Sequence, residues 1–246
     1  MNRLVMYLFC LAVIPCVLSG CARPVNSMAE HQIMKKLPDL LGEASRYEVR
    51  VDGDPYNTSH GRLARVQINA TNLTLQNGLI LSHLYLDLHR VVYNLKTHKL
   101  ISVKRAKFTT TISDDVIELQ ILGDLPAGYD LTHLKIHLLP SSQLLITAER
   151  NTLGIKLPVK ILFHLVLLSD NRVLVDLTRI TVVGIPVDGP ILHFLVGHVQ
   201  KIISLSALEL PLQVNSFYTD SGTITLSGNI NLTEWTSMEQ GNSRIQ

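Results

Sequence analysis

From Tyr47 onward, apolar and polar residues change places at every step: Tyr47, Val49 and Val51 alternate with Glu48, Arg50 and Asp52. A period of two sends alternate side chains to opposite faces of a β-strand. The same pattern covers residues 63–70, and Asn77-Gly78 marks a turn after it. It is clearest over 79–93, where Leu84, Leu86 and Leu88 take one side and His83, Tyr85, Asp87 and His89 the other. Residues 96–99 make a polar turn, and 100–111 return as a strand. The region predicts a meander of long antiparallel strands with one wet face. Further strands are predicted at 131–138, 144–149, 155–168 and 173–183, the last two joined by a turn at Asp170-Asn171. In 155–168, Leu157, Val159, Ile161, Phe163, Leu165 and Leu167 share a face, while Leu162, Val166 and Leu168 make the other partly apolar. A strand of that kind is either sandwiched or set against a cavity. Residues 208–217 and 223–232 close as a hairpin across Asp220-Ser221-Gly222.

Helical spacing interrupts the strands in three places. Residues 28–44 carry Ile33, Met34, Leu37, Leu40 and Leu41, with Pro38 arguing against a clean helix and 22–27 reading as a short polar tether. Ser113 suits an N-cap before Asp114 and Asp115, with Val116, Ile117, Leu119, Ile121 and Leu122 following and Gly123 as the stop. Residues 188–205 carry Ile191, Leu192, Phe194, Leu195, Val196, Val199, Ile202 and Ile203, apolar around most of the circumference and so expected to be largely buried.

The N-terminus follows a different logic. Arg3 precedes an apolar run from Leu4 to Leu18, the length of a signal-peptide core and short for a membrane span. Leu18-Ser19-Gly20-Cys21 then matches the bacterial lipobox. Small residues admit the signal peptidase between Gly20 and Cys21. The Cys21 thiol takes a diacylglycerol by a thioether, and its freed amine takes a further chain such as palmitate. Two or three chains anchor stably where one does so marginally. The expectation is a membrane-anchored lipoprotein of the cell envelope. Ala22 at the next position is not Asp, which in a Gram-negative cell permits sorting to the periplasmic face of the outer membrane. The expected organisation is a signal peptide over 1–20, a lipidated tether and N-terminal helix over 21–44, one domain over 45–233 and a polar tail over 234–246.

Composition narrows the function classes. Apolar residues make up 46%, yet aromatics only 5%, so the interior is Leu, Ile and Val. The three cysteines, Cys10, Cys16 and Cys21, all precede the mature domain, which must stand without disulfides. A net charge of +2 with no long basic run gives no reason to expect nucleic acid. Lys104, Arg105 and Lys107 form a small basic cluster, read either as a solvated face or as a contact for lipid headgroups. No HExxH, G-x-S-x-G, Walker or Rossmann motif occurs, so neither an enzyme nor a cofactor or metal is expected. Clustering of His83, His89 and Asp87 with a second carboxylate would reopen an enzymatic reading.

The order of elements resembles the LmeA-like family of bacterial phospholipid-binding proteins, similar to the tubular lipid-binding (TULIP-like) fold. The matching pieces are Gly78-Leu79 with the Leu84/Leu86/Leu88 strand, and the capped helix after Ile112-Ser113-Asp114-Asp115. Val182-Val183-Gly184-Ile185-Pro186-Val187 then leads into the long helix, and Leu208-Glu209-Leu210-Pro211-Leu212 follows. The hairpin with Ser221-Gly222-Thr223-Ile224-Thr225-Leu226-Ser227-Gly228 closes the set. The likeness covers about residues 40–232. Leu210-Pro211-Leu212 lacks the glycine that family members often carry there. The resemblance implies an α+β fold: a long, curved antiparallel β-sheet wrapped around two or three helices, with an apolar cleft for acyl chains. It supplies no transferable binding residues.

From the pattern alone, the cleft lining is expected at Leu157, Val159, Ile161 and Phe163, with Leu192, Leu195, Val199 and Ile203 opposite. Each CH₂ removed from water contributes about 0.8 kcal/mol, so ten methylenes gain roughly 8 kcal/mol before ordering costs. The same residues suit an ordinary filled core, and periodicity does not separate the two. Two functions therefore stay open: a lipoprotein that binds a phospholipid or similar amphiphile and assists envelope lipid transport or biogenesis, or a structural adaptor with a filled core that docks an envelope protein.

Overall fold

Burial follows the alternation read from the chain. The computed structural model describes residues 22–75, 78–94, 99–125, 131–152, 155–167, 173–182, 189–203 and 212–231. Helix α1 (Ala22–Leu41) leads into strand β1 (Glu43–Asp52), and a short helix α2 (Pro55–Ser59) precedes β2 (Arg62–Thr74). Strands β3 (Ile80–Asn94) and β4 (Lys99–Ser113) are followed by helix α3 (Asp114–Asp124). Then come β5 (Leu131–Leu139), β6 (Gln143–Thr152), β7 (Ile155–Leu167) and β8 (Val173–Val182), helix α4 (Gly189–Ile203), and the hairpin β9 (Leu212–Asp220) and β10 (Thr223–Ile230). The signal sequence with Gly20 and Cys21, the turns at Asn77 and Asp170-Asn171, the segments 183–188 and 204–211 and the tail beyond Asn231 lie outside the described residues.

The α+β architecture is as expected, antiparallel sheet with helices, and its strands divide between two sheets. One has the order β1-β2-β3-β4-β10-β9 and the other β5-β6-β7-β8. The first is the meander read from the sequence, extended by the closing hairpin, whose β10 pairs with β4 from Thr223↔Ser113 to Asn229↔Lys107. Gly228 permits this: a Cβ there would fall 1.9 Å from the Gln213 carbonyl oxygen across the β9–β10 bulge. Leu84, Leu86, Leu88, Ala106, Phe108 and Ile112 are buried on the inner face, and the His83/Tyr85/Asp87/His89 side is half-buried.

Helix α1 begins at Ala22, so the tether expected at 22–27 is instead its first turns. The helix runs beside β1. Asn26 Nδ2 donates to the Gly53 carbonyl (3.2 Å), and the Val51 N–H donates to Glu30 Oε1 (2.9 Å). These contacts fix a polar stretch that by composition alone would stay loose. Pro38 sits in the last turn, where little helix remains to lose, and its carbonyl accepts the Gly42 N–H (3.0 Å). Gly42 has φ +116, and a Cβ would meet the Thr74 carbonyl oxygen at 2.1 Å, so the turn into β1 requires glycine.

Helix α3 forms where Ser113 predicts it, but the Ser113 hydroxyl pairs with Ser82 Oγ (2.8 Å) and makes no cap bond. The Asp114 and Asp115 carboxylates accept the next backbone N–H groups instead (both 2.9 Å). Gly123 lies inside this helix, one residue short of its end.

The two sheets share one hydrophobic core, which also takes in Ile117 and Ile121 of α3 and Leu195, Val199 and Ile202 of α4. They are joined at a polar staple. Thr219 Oγ1, 9% exposed, donates to the Leu139 carbonyl (2.7 Å) and accepts the Ser142 N–H (2.8 Å), and the Gly222 N–H donates to the Leu138 carbonyl (3.2 Å). Beside it, Glu118 of α3 accepts from Lys135 Nζ (2.7 Å) and the Ile136 N–H (3.3 Å).

Candidate functional site

The four-stranded sheet presents a continuous apolar face. Its rows follow from register: Leu138, Leu144 and Phe163 lie side by side, then Ile136, Ile146 and Ile161, then Ala148 and Val159. All of these are buried, as are Leu134 and Leu165. The four buried polar residues among those described, Thr58, Thr110, Thr219 and Thr225, lie elsewhere. With no charge or unpaired dipole to satisfy, such a face favours a guest that is hydrocarbon.

Helix α4 packs on β8 and α3. The residues expected to face each other fall as follows. Val159 (6% exposed), Ile161 (1%), Phe163 (0%), Leu195 (1%) and Val199 (0%) are all in the shared core. Leu157, opposite Arg150, and Leu192 are half-buried at its margin. The Ile203 side chain lies outside the described residues. Helix α4, expected to be largely buried, buries one face with Leu195, Val199 and Ile202, while His193, Gly197 and Lys201 are exposed. Sequence reasoning passed over Ile202 and the β5 and β6 rows, although their alternation was visible.

Side chains at 0–1% exposure are closed over by protein on every side. Ile161, Phe163, Leu195 and Val199 are thus out of reach of solvent, and a guest would reach them only by displacing an element that covers them. Helix α4 is tied to α3 by a modest contact. His198 Nδ1 donates to the Phe194 carbonyl (3.0 Å), its Nε2 lies 3.3 Å from Asp124 Oδ2, and its ring stacks on Phe194 at 4.1 Å. The Asp124 side chain is 57% exposed, so this contact is worth only about 0–1 kcal/mol even with the imidazole charged. Nothing in the sequence pairs these two residues. Leu119 and Leu122 of α3 are exposed to solvent, as are Ile155 and Val166 towards the two ends of β7.

The polar face of the first sheet holds the histidine and carboxylate cluster. Asp87 accepts from Arg65 at both oxygens (2.8 and 3.0 Å) and lies 3.2 Å from His89 Nε2. The Arg65 hydrogen bonds, and then His89, hold the Asp87 carboxyl below the usual range, against the opposing effect of burial. A carboxylate so occupied is a poor proton acceptor. Among the described residues no group of three or more His, Cys, Asp or Glu side chains gathers as a metal site, and no helix is long and apolar enough to cross a membrane.

A family model described as LmeA-like phospholipid-binding matches residues 22–229, most of the chain. Comparison with curated proteins gave no match, and comparison with solved structures gave none.

Proposed function

This chain belongs to the LmeA-like phospholipid-binding family, and from that premise we propose that it holds a phospholipid or similar amphiphile with its acyl chains against the apolar face of the four-stranded sheet, beneath α4. The observation that carries the reading is the run of buried Leu, Ile, Val and Phe from β5 to β7, uninterrupted by any buried polar group. Val159, Ile161 and Phe163 would contact the chains directly, with Leu157 and Leu192 at the mouth. Leu195 and Val199, with Ile203 one turn beyond, would pack on them from the helix. Helix α4 moves aside on binding, because its weak tie to α3 is cheaper to break than any sheet pairing. Cys21 anchors the protein in a membrane of the cell envelope, where the bound lipid is in transit or in use for envelope biogenesis.

Lipid extraction and mass spectrometry on the chain produced from Ala22 test the binding step. Co-purified phospholipid, with uptake of a fluorescent phospholipid by the delipidated protein, is expected. Repeated absence of both sinks the reading. For the anchor, the N-terminal peptide of the mature protein is expected to carry the mass of acyl chains on Cys21, and a Cys21→Ser chain is expected to lose them.

The closure of Phe163 and Val199 favours one other reading: a permanently filled core, with the domain acting as an adaptor for an envelope protein. The same extraction separates the two, since an adaptor yields no lipid.

A further inference from the structure

The burial alternation of the first sheet breaks at two places, once in two strands at Thr71-Asn72 of β2 and Ser82-His83 of β3, and once in three neighbouring strands together. Between buried Leu63 and Val66 of β2 stand two outward residues, Ala64 and Arg65; between Leu88 and Val91 of β3 stand His89 and Arg90; between Val103 and Ala106 of β4 stand Lys104 and Arg105. The flanking rows stay in register: Leu63, Val91 and Val103 form one, and Arg65, His89 and Arg105 another. The extra residue therefore stacks across the sheet, and at Arg90 the backbone turns to φ +52 to accommodate it. Two consecutive outward rows meet here instead of one, and most of their residues are basic.

Arg90, Lys104 and Arg105, with Arg62 at the start of β2, are exposed. Among the described residues none of their side chains makes a hydrogen bond or ion pair. The carboxylates close by are already engaged. Asp87 holds Arg65 and His89, Asp52 pairs with Arg50 (3.5 Å), and Asp54 accepts the Asn57 N–H in capping α2 (3.0 Å). Exposed apolar groups share this end. Tyr56 of α2 is 72% exposed and Ile101 of β4 is 53% exposed. The Tyr93 N–H bonds the Gly61 carbonyl (2.8 Å), which brings the α2–β2 corner to the β3–β4 end.

A second, independent observation is the start of α1. Asn26 is bonded to Gly53, immediately before α2, and the helix runs from there toward Gly42. Ala22 lies one turn, about 6 Å, beyond Asn26. The helix therefore enters the fold at this same end of the sheet.

We propose that this end of the six-stranded sheet docks on an anionic lipid bilayer, with Arg62, Arg90, Lys104 and Arg105 against the headgroups and Tyr56 and Ile101 at interfacial depth. Basic residues near a negatively charged leaflet attract it additively, and Tyr suits the boundary between hydrocarbon and water. The bearing of Ala22 on a membrane rests on the anchoring reading for Cys21, but the docking surface does not, and neither depends on a guest beneath α4.

The test uses the unlipidated chain from Ala22, which retains every described helix and strand, with vesicles of phosphatidylcholine alone or mixed with phosphatidylglycerol. Binding to the anionic vesicles and weak binding to the neutral ones is expected, with loss as salt shortens the screening length. Each of Arg62→Gln, Arg90→Gln, Lys104→Gln and Arg105→Gln should weaken binding about fivefold. Tyr56→Ser with Ile101→Ser should weaken it without changing the salt dependence. Lys35→Gln with Lys160→Gln, exposed elsewhere, should leave it unchanged. Equal binding to both vesicle types, no loss in the fourfold variant, or an equal loss in the control overturns the proposal. A chain that takes up phospholipid yet ignores vesicles sinks the docking surface alone.

Discussion

Phe163→Ala measures whether the interior is as closed as its geometry indicates. Phe163 is 0% exposed and lies between Leu144 of β6 and Leu177 of β8 in register. Both flanking strands are held by ladder bonds, so the site has little freedom to collapse around a smaller residue. Losing the ring forfeits roughly 2 kcal/mol of transfer free energy. It also leaves a void on the order of 100 Å³, which at about 24 cal/mol per Å³ adds roughly 2.4 kcal/mol. The sum, about 4 kcal/mol, lies within the range of about 3–5 for such truncations. In a domain of this size that lowers Tm by about 8–16 °C. Urea unfolding of the chain from Ala22, followed by far-ultraviolet circular dichroism, reads the loss as a lower midpoint at unchanged slope. A cost below about 1 kcal/mol refutes the reasoning: Phe163 would then have no close neighbours to lose, the interior would be open in solution, and α4 would not need to move to admit a chain.

Three further outcomes are expected. Thr219→Val strands the Ser142 N–H and the Leu139 carbonyl at the joint between the sheets and should cost about 1–3 kcal/mol in urea unfolding, with Thr219→Ser restoring most of it. Gly228→Ala drives a methyl onto the Gln213 carbonyl and the Phe108 ring and should open the closing hairpin, seen as rapid amide exchange in β9 and β10 with β1–β3 still protected. The depressed carboxyl of Asp87 stabilises the fold above the ordinary carboxylate pKa, and that contribution is lost as pH falls below about 4 through the folded value. Asp87→Asn should therefore be less stable than the parent at neutral pH, with the gap narrowing in acid, and a gap constant with pH denies the carboxylate that role.

Local features of the fold were legible where the cause is local. The Leu84/Leu86/Leu88 alternation marks an inner face because a strand's geometry has period two, and the Val199 stripe marks a helix face for the corresponding reason. Partner choice was not legible. Nothing in the β10 sequence distinguishes β4 from β7 as a neighbour, and the joint between the two sheets runs through Thr219, which looks like any hairpin threonine until Leu139 lies beside it. The start of α1 was missed because Asn26 reads as polar tether until the Gly53 carbonyl bonds it. Of the basic end, only Lys104, Arg105 and Lys107 were adjacent in sequence; Arg62 and Arg90 join them through strand pairing, and the stacked extra residue exists only across three strands. The candidate lining was legible as apolar but not as closed, since closure depends on what lies opposite.

The docking end and the apolar face stand at opposite ends of the first sheet, and this constrains how a lipid would travel. Strand β4 begins at Lys99, beside the basic rows, and finishes at Ser113, which pairs with Thr223 next to the Thr219 staple that carries the second sheet. From Arg105 to Ser113 is eight residues, roughly 26 Å at about 3.3 Å per residue. A domain docked upright therefore holds the staple, where the second sheet begins, nearly a bilayer's hydrocarbon thickness (about 30 Å) from the headgroups. A lipid leaving that membrane has this distance to cross before it reaches the face beneath α4. Either the domain tips over, against the pull of the four basic residues, or the guest is exchanged with something on the far side. The two routes respond oppositely to the fourfold Gln variant: freeing the basic end speeds exchange with the protein's own vesicle if tipping limits it, and leaves exchange unchanged if the partner stands opposite.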